Sequence, residues 1–429
     1  MELNEIVDKF NISTDTRTIK KGDLYLPLKG ANFDGEDFLQ SALEAGAAGF
    51  FTVKDDYPAA EFVFRVENTL QTYLELAKIR KEKIAPLTIA VTGSSGKTTT
   101  KEMIAAVVSR KFKTHKTFSN HNNEIGFCRT VFSMPADTEA LITEMGMRGP
   151  GEIELLSKYA EPDFTVITNT GSAHIGRLGS LDNIAKAKCE IVKYQKKTGT
   201  LIAHDDERIK KYADFAGEKI FYSLAQARIL KQKPGYSEFL YKGKSYELNA
   251  AGDYNIENSL AAIETGEKFG MSYEEIRAGL LAYKPVEKRW ETEKAGRFTI
   301  INDSYNANPD SMKAAVSAFL SLYKNPVVVL GDMGELGNEE AALHKDVGKY
   351  LDEKLKAAEQ KPSAVLTVGA LAKHIGDGIS ACEVKRFNTN LEVSRYILAN
   401  FNESNTIFLK ASRAMKFEEI IYELRRAGR

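Results

Sequence analysis

A glycine-rich turn between an apolar strand and a helix constrains this chain more than any other stretch. Residues 89–100 read IAVTGSSGKTTT, and the apolar run 87–91 predicts a buried strand that leads into the turn. Glycines at positions 93 and 96 let the backbone turn tightly, so that successive N–H groups can face one anion. The threonines after Lys97 begin an amphipathic helix, whose N-terminus adds partial positive charge. The stretch predicts a nucleotide phosphate site.

Two side chains of this turn suit such a site directly. Lys97 is placed to reach the outer phosphates, and Thr98 can offer its hydroxyl to a bound Mg²⁺. The usual P-loop pattern has a further glycine five residues before the Gly-Lys pair, and Val91 occupies that position. The alternative is an ordinary glycine turn, which would leave the GKTTT sequence at the helix start unexplained.

Charge and cysteine content argue against some classes of protein. The 429-residue chain has 59 Lys and Arg against 59 Asp and Glu, which argues against a nucleic-acid binder. Three scattered cysteines, without metal-ligand spacing, are typical of a reducing compartment. The start MELNE lacks signal-peptide features, and no apolar run approaches the roughly 18 residues of a membrane span. We expect a cytoplasmic enzyme without an integral membrane segment.

The first part of the chain predicts a small α/β unit. Strand-like and helical segments alternate up to residue 84, and Pro86 follows a charged run that marks a boundary. The predicted strands are 23–28, 49–53 and 62–66, and the predicted helices are 38–44 and 69–83.

From residue 87 the alternation continues and predicts a parallel sheet around the glycine-rich turn. The predicted strands are 139–144, 164–168 and 200–203, the predicted helices are 151–159 and 180–196, and a hairpin at 239–248 is placed at the sheet edge. Two more helices follow, the second with a capping box at Ser272 and Glu275.

A second doubly wound, mostly parallel sheet is predicted from residue 285 onward. Its strands are 298–302, 326–330, 364–368 and 405–409. The expected fold class is therefore α/β with three domains: residues 1–84, a central P-loop-type domain at 85–284, and a Rossmann-like domain at 285–429.

Three polar residues follow strands or helices of the central sheet. Glu144 ends a strand, His174 lies in the loop after another strand, and Lys188 lies in the helix beyond. Taken alone, a residue like Glu144 is more often a solvated strand end, one like His174 a hydrogen-bonded loop histidine, and one like Lys188 a charge that points to solvent. Open α/β sheets bind ligands beyond the carboxyl ends of their parallel strands. The clustering of these three residues there favours a shared role in binding a ligand.

Thirteen short motifs, spread over nearly the whole chain, resemble those of the Mur ligase family of ATP-dependent amide-bond-forming enzymes. They are DTR at 15–17, GDLY at 22–25, FDG at 33–35, TGSSGKTTTKE at 92–102, NHNNEIG at 120–126, EMG at 144–146, GPGEI at 149–153, NTGSAH at 169–174, AKCE at 187–190, GDYNIEN at 252–258, NDSYNANPDSM at 302–312, LGDMGELG at 330–337 and KASR at 410–413. The family also lacks the first P-loop glycine, which accounts for Val91. Tyr254 and Ala411 depart from the family pattern.

The resemblance implies roles for the ATP and metal residues. ATP would be held by Gly93, Ser94, Ser95, Gly96, Lys97, Thr98, Thr99, Asn255, Asn258, Arg289 and Asp303. Two Mg²⁺ ions would be held by Thr98, Glu144, His174 and a carbamylated Lys188. Lys97, Glu144, His174 and Lys188 would form the catalytic set.

The resemblance also implies the substrates. A UDP-N-acetylmuramoyl tripeptide and the dipeptide D-alanyl-D-alanine would contact Ser13, Thr14, Asp15, Arg17, Asn32, Asp34, Asn120, Asn122, Asn123, Tyr305, Asn306, Asn308, Ser412 and Arg413. The three asparagines at 120–123 could equally form a plain Asn-rich turn. Within the resemblance, the stretches DSYNANP at 303–309 and GDMGELG at 331–337 single out the family member that joins this dipeptide to the tripeptide through an acyl phosphate, in peptidoglycan precursor synthesis.

Two other functions stay open at this point. One is a Mur-type or folylpolyglutamate-synthase-like amide ligase with a different amine, and the other is a regulatory P-loop NTPase. The partners expected are small molecules and no nucleic acid, and we expect a monomer.

Overall fold

A computed structural model describes residues 1–30, 32–286, 288–357 and 362–427. Four sheets follow one another along the chain, and three of them are mainly or wholly parallel. This is the α/β class that the alternating segments predict. The sheets fall within the three predicted ranges, and the domain boundaries themselves stay predictions.

The first unit is a small sheet of four parallel strands in the order β1-β2-β3-β4. Its strands are β1 Ile12–Ser13, β2 Leu24–Tyr25, β3 Gly49–Thr52 and β4 Phe62–Arg65. Its helices are α1 Leu3–Lys9, α2 Leu39–Glu44 and α3 Thr69–Ile84. Phe50 and Phe51 point to opposite faces of β3 and are both fully buried, so helices and loops cover both faces.

The central unit contains a six-stranded parallel sheet in the order β10-β9-β8-β5-β7-β6. Its strands are β5 Leu87–Thr92, β6 Thr114–Lys116, β7 Ala140–Glu144, β8 Phe164–Ile167, β9 Thr200–His204 and β10 Glu218–Tyr222. Its helices are α4 Lys97–Val108, α5 Glu124–Phe132, α6 Glu152–Ala160, α7 Ile175–Leu178, α8 Leu181–Cys189 and α9 Glu207–Tyr212. Strand β5 lies between β7 and β8, so the loops after these three strands meet at one edge.

The helix predicted over 180–196 is wrong in its second half. Helix α8 ends at Cys189, and a 3₁₀ turn, Glu190–Val192, follows it. Side chains and backbone there have other partners: the Glu190 carboxylate accepts from the Gly151 N–H at 2.8 Å, and Ser157 Oγ donates to the Ile191 carbonyl at 2.7 Å. These contacts with α6 stop the helix early.

The predicted hairpin belongs to a separate antiparallel sheet and does not extend the central one. The sheet consists of β11 Ala227–Lys233, β12 Tyr236–Tyr241 and β13 Lys244–Leu248. Helices α10 Asp253–Lys268 and α11 Tyr273–Ala282 follow, and Ser272 and Glu275 form the predicted capping box. Phe239 and Tyr246 are fully buried on the face that packs in the same core as α10 and α4.

The third unit is a six-stranded sheet in the order β14-β15-β19-β16-β17-β18, parallel except for β14. Its strands are β14 Glu291–Ala295, β15 Phe298–Asn302, β16 Pro326–Gly331, β17 Ala364–Val368, β18 Val384–Phe387 and β19 Thr406–Lys410. Its helices are α12 Pro309–Leu322, α13 Glu340–Ala357, α14 Lys373–Asp377, α15 Asn390–Asn400 and α16 Glu418–Arg426. Separate apolar clusters cover its two faces, as in doubly wound sheets.

In the part of the chain that the structure describes, no helix combines the length and apolarity that a bilayer crossing requires.

Candidate active site

The glycine-rich turn between β5 and α4 is packed too tightly for side chains at its two glycines. A Cβ at Gly93 would lie 1.8 Å from Thr168 Oγ1, and a Cβ at Gly96 would lie 2.5 Å from Asn258 Oδ1. Both residues have positive φ, 153° and 77°. The turn is therefore shaped by direct contact with the loop after β8 and with α10.

Gly93→Ala is expected to destabilise the protein by about 1–3 kcal/mol and to raise KM for ATP, because the new methyl group displaces Thr168. Thermal unfolding and nucleotide titration measure the two effects. Gly235→Ala is the matched control, since Gly235 also has positive φ, at 74°, but has open space around its Cα. An unchanged KM in Gly93→Ala would contradict this account of the turn.

Asn169, near the start of the loop after β8, holds the same turn in place. Its carbonyl accepts from the Ser94 N–H at 3.1 Å, and its side-chain Oδ1 accepts from the Ser95 N–H at 3.0 Å. Its Nδ2 donates to Ser95 Oγ at 3.0 Å. The N–H groups free of intrahelical partners are therefore those of the first turn of α4, from Lys97 to Thr99.

Thr98 and Glu144 place two oxygen atoms side by side at the sheet edge. Thr98 Oγ1 donates to Glu144 Oε2 at 2.8 Å, and Asn122 Nδ2 donates to Glu144 Oε1 at 3.0 Å. Neighbouring oxygens around an octahedral Mg²⁺ lie about 2.9 Å apart, given Mg–O distances of 2.0–2.1 Å. The pair therefore fits a magnesium ion, and Glu144 is only 4% exposed.

Among the described ranges, no group of three or more His, Cys, Asp or Glu side chains could hold a metal ion. The Thr98 and Glu144 pair would supply only part of a set of ligands. Mg²⁺ usually keeps several waters and binds substrate phosphates with one or two carboxylates, so a partial set suits it.

Lys101 was not predicted from the sequence and supports Glu144 from α4. Its side chain is fully buried, and Nζ lies 3.6 Å from Glu144 Oε2 and donates to the Thr117 carbonyl at 2.8 Å. A signal existed in the sequence, since residue 101 has the helical spacing of the buried Ile104 and Val108.

Two lysines, the half-buried Lys97 and the buried Lys188, face the same region. Lys97 Nζ donates to the Gly93 carbonyl at 2.7 Å, and burial lowers the pKa of Lys97, while the charge of Glu144 opposes that change. Lys188 is 1% exposed, and its pKa is lowered well below the ordinary value, first by burial and then by the charge of Lys97. Lys188 thus lies within electrostatic reach of Lys97, in surroundings that disfavour a charged amine.

His174 is contacted from the third unit. Its Nδ1 lies 2.6 Å from Glu335 Oε2, and Arg177 Nη2 lies 3.9 Å from Glu335 Oε1. Contact with His174 holds the pKa of Glu335 below its usual value. The sequence placed Glu335 in a motif but assigned it no role.

Two further contacts join the central and third units near the turn. The Ser172 N–H and hydroxyl donate to Asp310 Oδ2 at 2.7 and 2.8 Å. A Cβ at Gly171 would lie 2.4 Å from the same oxygen, so only glycine fits there.

Arg289 and Asp303, both predicted to approach ATP, have partners within the third unit. The Arg289 guanidinium lies 4.1 Å from the centre of the Tyr305 ring. Lys410 Nζ donates to Asp303 Oδ2 at 2.5 Å. The charge of Arg289 also contributes to lowering the pKa of Lys97, and that of Glu144 acts on Tyr305, so these residues face the central site.

The residues predicted on the adenine side lie at the start of α10. Asn255 is buried and donates from Nδ2 to the Ala251 carbonyl at 2.7 Å, and Asn258 packs on Gly96 as described. Tyr254, beside Asn255, packs its ring edgewise on Trp290 of the third unit at 6.0 Å. Thr99 lies beside Tyr283, just before the third unit.

Several predicted substrate residues serve local structure. Asn123 caps α5 by accepting from the Gly126 N–H at 2.9 Å, and Asn308 caps α12 by accepting from the Ser311 N–H at 2.9 Å. Asn306 Oδ1 accepts from the Ala307 N–H at 2.9 Å, and Asn120 is exposed. Such caps account for these residue types without a ligand.

Ser412 and Arg413 follow β19. The Ser412 N–H donates to the Asp332 carbonyl at 3.0 Å, and Arg413 Nη1 donates to Glu418 Oε1 at 2.7 Å. Ser412 is thereby fixed against the 331–337 loop, whereas Arg413 is turned toward α16.

The residues predicted to hold the UDP part lie in two loops of the first unit. Arg17 forms a two-point ion pair with Asp15 at 2.9 and 2.6 Å, which lowers the pKa of Asp15 to about 2. Ser13 Oγ donates to the Asp15 carbonyl at 3.1 Å, and Asp34 Oδ1 accepts from the Glu36 N–H at 3.0 Å, while Asn32 is exposed. Arg129 of the central unit donates to Thr14 Oγ1 at 3.5 Å.

Family models match this chain along most of its length. The model for the Mur ligase family catalytic domain matches residues 10–84, that for the Mur ligase middle domain matches 91–266, and that for the Mur ligase glutamate ligase domain matches 288–413. A curated relative from Bacillus subtilis, a UDP-N-acetylmuramoyl-tripeptide–D-alanyl-D-alanine ligase, is 37% identical over 96% of this chain and 92% of its own length. The chain belongs to the Mur ligase family.

Further relatives of this Mur ligase have the same name as the Bacillus subtilis enzyme. The one from Synechocystis is 33% identical over 98% of the chain, and the one from Escherichia coli is 30% identical over 97%. A crystal structure of MurF from Acinetobacter baumannii is 28% identical, has a TM-score of 0.89, and covers 99% of this chain and 98% of its own. Folylpolyglutamate synthase from Mycobacterium tuberculosis, 15% identical with a TM-score of 0.61 over 83% of the chain, shares the fold alone.

Proposed function

We propose that this Mur ligase joins D-alanyl-D-alanine to a UDP-N-acetylmuramoyl tripeptide with ATP, as the names of its curated relatives state for them. The single observation that carries the proposal is the 37% identity over 96% of the chain to a ligase of that name. The paired Thr98 and Glu144 oxygens beside the turn supply the site such chemistry requires.

The proposed reaction has two steps. The terminal carboxylate of the tripeptide attacks the γ-phosphorus of ATP, the bond to the β-phosphate oxygen breaks, and an acyl phosphate and ADP result. The amine of the dipeptide then attacks the acyl carbon, a C–N bond forms, and the C–O bond to phosphate breaks as inorganic phosphate leaves. Water must be excluded between the steps, since it would hydrolyse the acyl phosphate.

The chain's own residues would stabilise the charge that develops. The free N–H groups of α4 would bind phosphate oxygens, and Lys97 would move from the Gly93 carbonyl to the outer phosphates. Arg289 would supply a permanent, delocalised charge from the third unit. The 1–84 part would bind the UDP handle, 85–284 the ATP, and 285–429 the dipeptide.

Thr98 and Glu144 would hold a first Mg²⁺, and His174 and Lys188 would lie near a second. Magnesium bound there would offset phosphate charge and polarise the γ-phosphoryl group. The hard oxygen donors at 2.8 Å separation support the first assignment.

Lys188 would serve the second ion only as a carbamate. Carbon dioxide reacts with a neutral amine, and both burial and Lys97 lower the pKa of Lys188. Carbamylation would turn the neutral amine into a carbamate anion, which would offset the charge of Lys97 and create an oxygen ligand.

Stripping CO₂ from the buffer is expected to lower turnover at least about tenfold, and added bicarbonate is expected to restore it. Labelling with ¹³C-bicarbonate should give a carbamate signal in the NMR spectrum of the wild type and none in Lys188→Ala. A wild type that keeps full turnover without CO₂ and shows no carbamate signal would contradict carbamylation.

The proposed function is tested by measuring ADP release with purified UDP-tripeptide, with and without D-alanyl-D-alanine. Release that needs both substrates, with formation of the UDP-pentapeptide, is the expected result. A preference for another amine would indicate a different amide ligase, and ADP release without any acceptor would indicate a regulatory NTPase. Tripeptides ending in lysine or in a diamino acid, compared directly, would identify the third residue.

A further inference from the structure

The 331–337 loop of the third unit (GDMGELG) is held rigidly at the carboxyl edge of its sheet. The buried His344 accepts from the Met333 N–H through Nε2 at 2.9 Å. Asp332 Oδ1 accepts from the N–H groups of Leu371 and Ala372 at 3.0 and 2.6 Å. The His344 side chain and the loop's own Asp332 side chain therefore fix this loop to the rest of the third unit.

This loop meets α7 of the central unit through backbone contact. A Cβ at Gly176 would lie 2.4 Å from the Gly337 N atom, and a Cβ at Gly337 would lie 2.7 Å from Gly176 Cα. The Gly176 N–H also donates to the Glu335 carbonyl at 3.3 Å. The two glycines thus allow the main chains of the two units to come into contact, and this contact fixes the position of Glu335.

Glu335 delivers its carboxylate to His174 at this contact. Oε2 and Nδ1 lie 2.6 Å apart as an ion-pair contact, and Nδ1 is shielded from solvent and has no other partner among the described residues. Both residues have left-handed backbone, with φ of 62° for Glu335 and 65° for His174, a conformation that tends to persist where the surrounding structure requires it. With Nδ1 occupied by the carboxylate, Nε2 is the ring nitrogen left for a ligand.

We propose that Glu335 is a positioning residue, which orients His174 for the reaction once the third unit has closed on the central unit. This inference rests on the proposed function and deepens it. The 331–337 loop would then couple closure to phosphoryl transfer, because His174 would reach its working orientation only with the third unit in place.

The test is a double-mutant cycle on ADP release with both substrates present. Glu335→Ala is expected to lower kcat about 30-fold, as loss of a residue that orients a ligand typically does, and to leave ADP affinity by calorimetry unchanged. In a His174→Ala background the same substitution is expected to change kcat by less than about threefold, since Glu335 acts through His174. Glu335→Gln should recover most of the rate, because its amide oxygen can take the place of Oε2 beside Nδ1.

Exposed Glu339, at the end of the same loop region, provides the matched control, and Glu339→Ala should retain wild-type kcat. Should Glu335→Ala fail to fold, Glu335→Gly removes the side chain and tolerates the positive φ. Multiplicative losses in the cycle, a Gln variant as slow as the Ala variant, or a parallel loss of ADP affinity would each overturn the proposal. A wild type without dipeptide-dependent ADP release would instead overturn the proposed function.

Discussion

Replacing Lys97 by methionine is expected to lower the rate of ADP release at least about a thousandfold, or about 4 kcal/mol of transition-state stabilisation. Lys97 is the half-buried cation at the start of α4, and its neighbours Glu144 and Arg289 both act on its charge. Methionine keeps the length and apolar stem of the side chain and removes the charge, so the fold should tolerate it. A coupled assay for ADP measures the effect.

Lys113→Met is the control for this substitution. Lys113 lies in the same unit, is about two-thirds exposed, and pairs with Asp137 on the surface, so its removal should have little effect. Turnover of Lys97→Met within tenfold of the wild type, with the fold intact, would contradict a phosphate-binding role.

Glu144→Ala is expected to lower turnover at least about a hundredfold and to weaken the dependence on Mg²⁺ concentration. The substitution removes one of the two paired oxygens and also one of the carboxylates near buried Lys101. Because Glu102 Oε1 remains 3.2 Å from Lys101 Nζ, the loss of stability should lie below the 3–5 kcal/mol of a fully broken buried pair.

Stability and chemistry can be separated at this site. The double variant Lys101→Met with Glu144→Gln removes both charges and should unfold at a temperature closer to that of the wild type than Glu144→Ala does, yet stay inactive. Glu139→Gln is the control: Glu139 lies just before the first residue of β7, and its substitution should leave turnover unchanged. Recovery of turnover in the double variant would show that Glu144 acts through stability alone and would end its assignment as a metal ligand.

Many strands and helix caps could be predicted because their sequence signals are local. Strands β15, β17 and the capping box at Ser272 match their predicted positions, since apolar runs and caps depend on neighbouring residues. The early end of α8 could not be predicted, because it depends on contacts with α6 and the residue before it. The bond between Glu190 and Gly151, for example, joins residues that are 39 positions apart in sequence.

The site itself divides in the same way. Sequence alone determined the glycine-rich turn, the carboxylate at the end of β7 and the family, because each follows from consecutive residues or from strand order. Tertiary structure alone decided that Asn169 braces the turn, that Lys101 lies against Glu144, and that Glu335 reaches His174. These contacts join residues of different elements or different units. The packing between sheets decides which of these side chains meet, and hydrophobic periodicity carries no information about that packing.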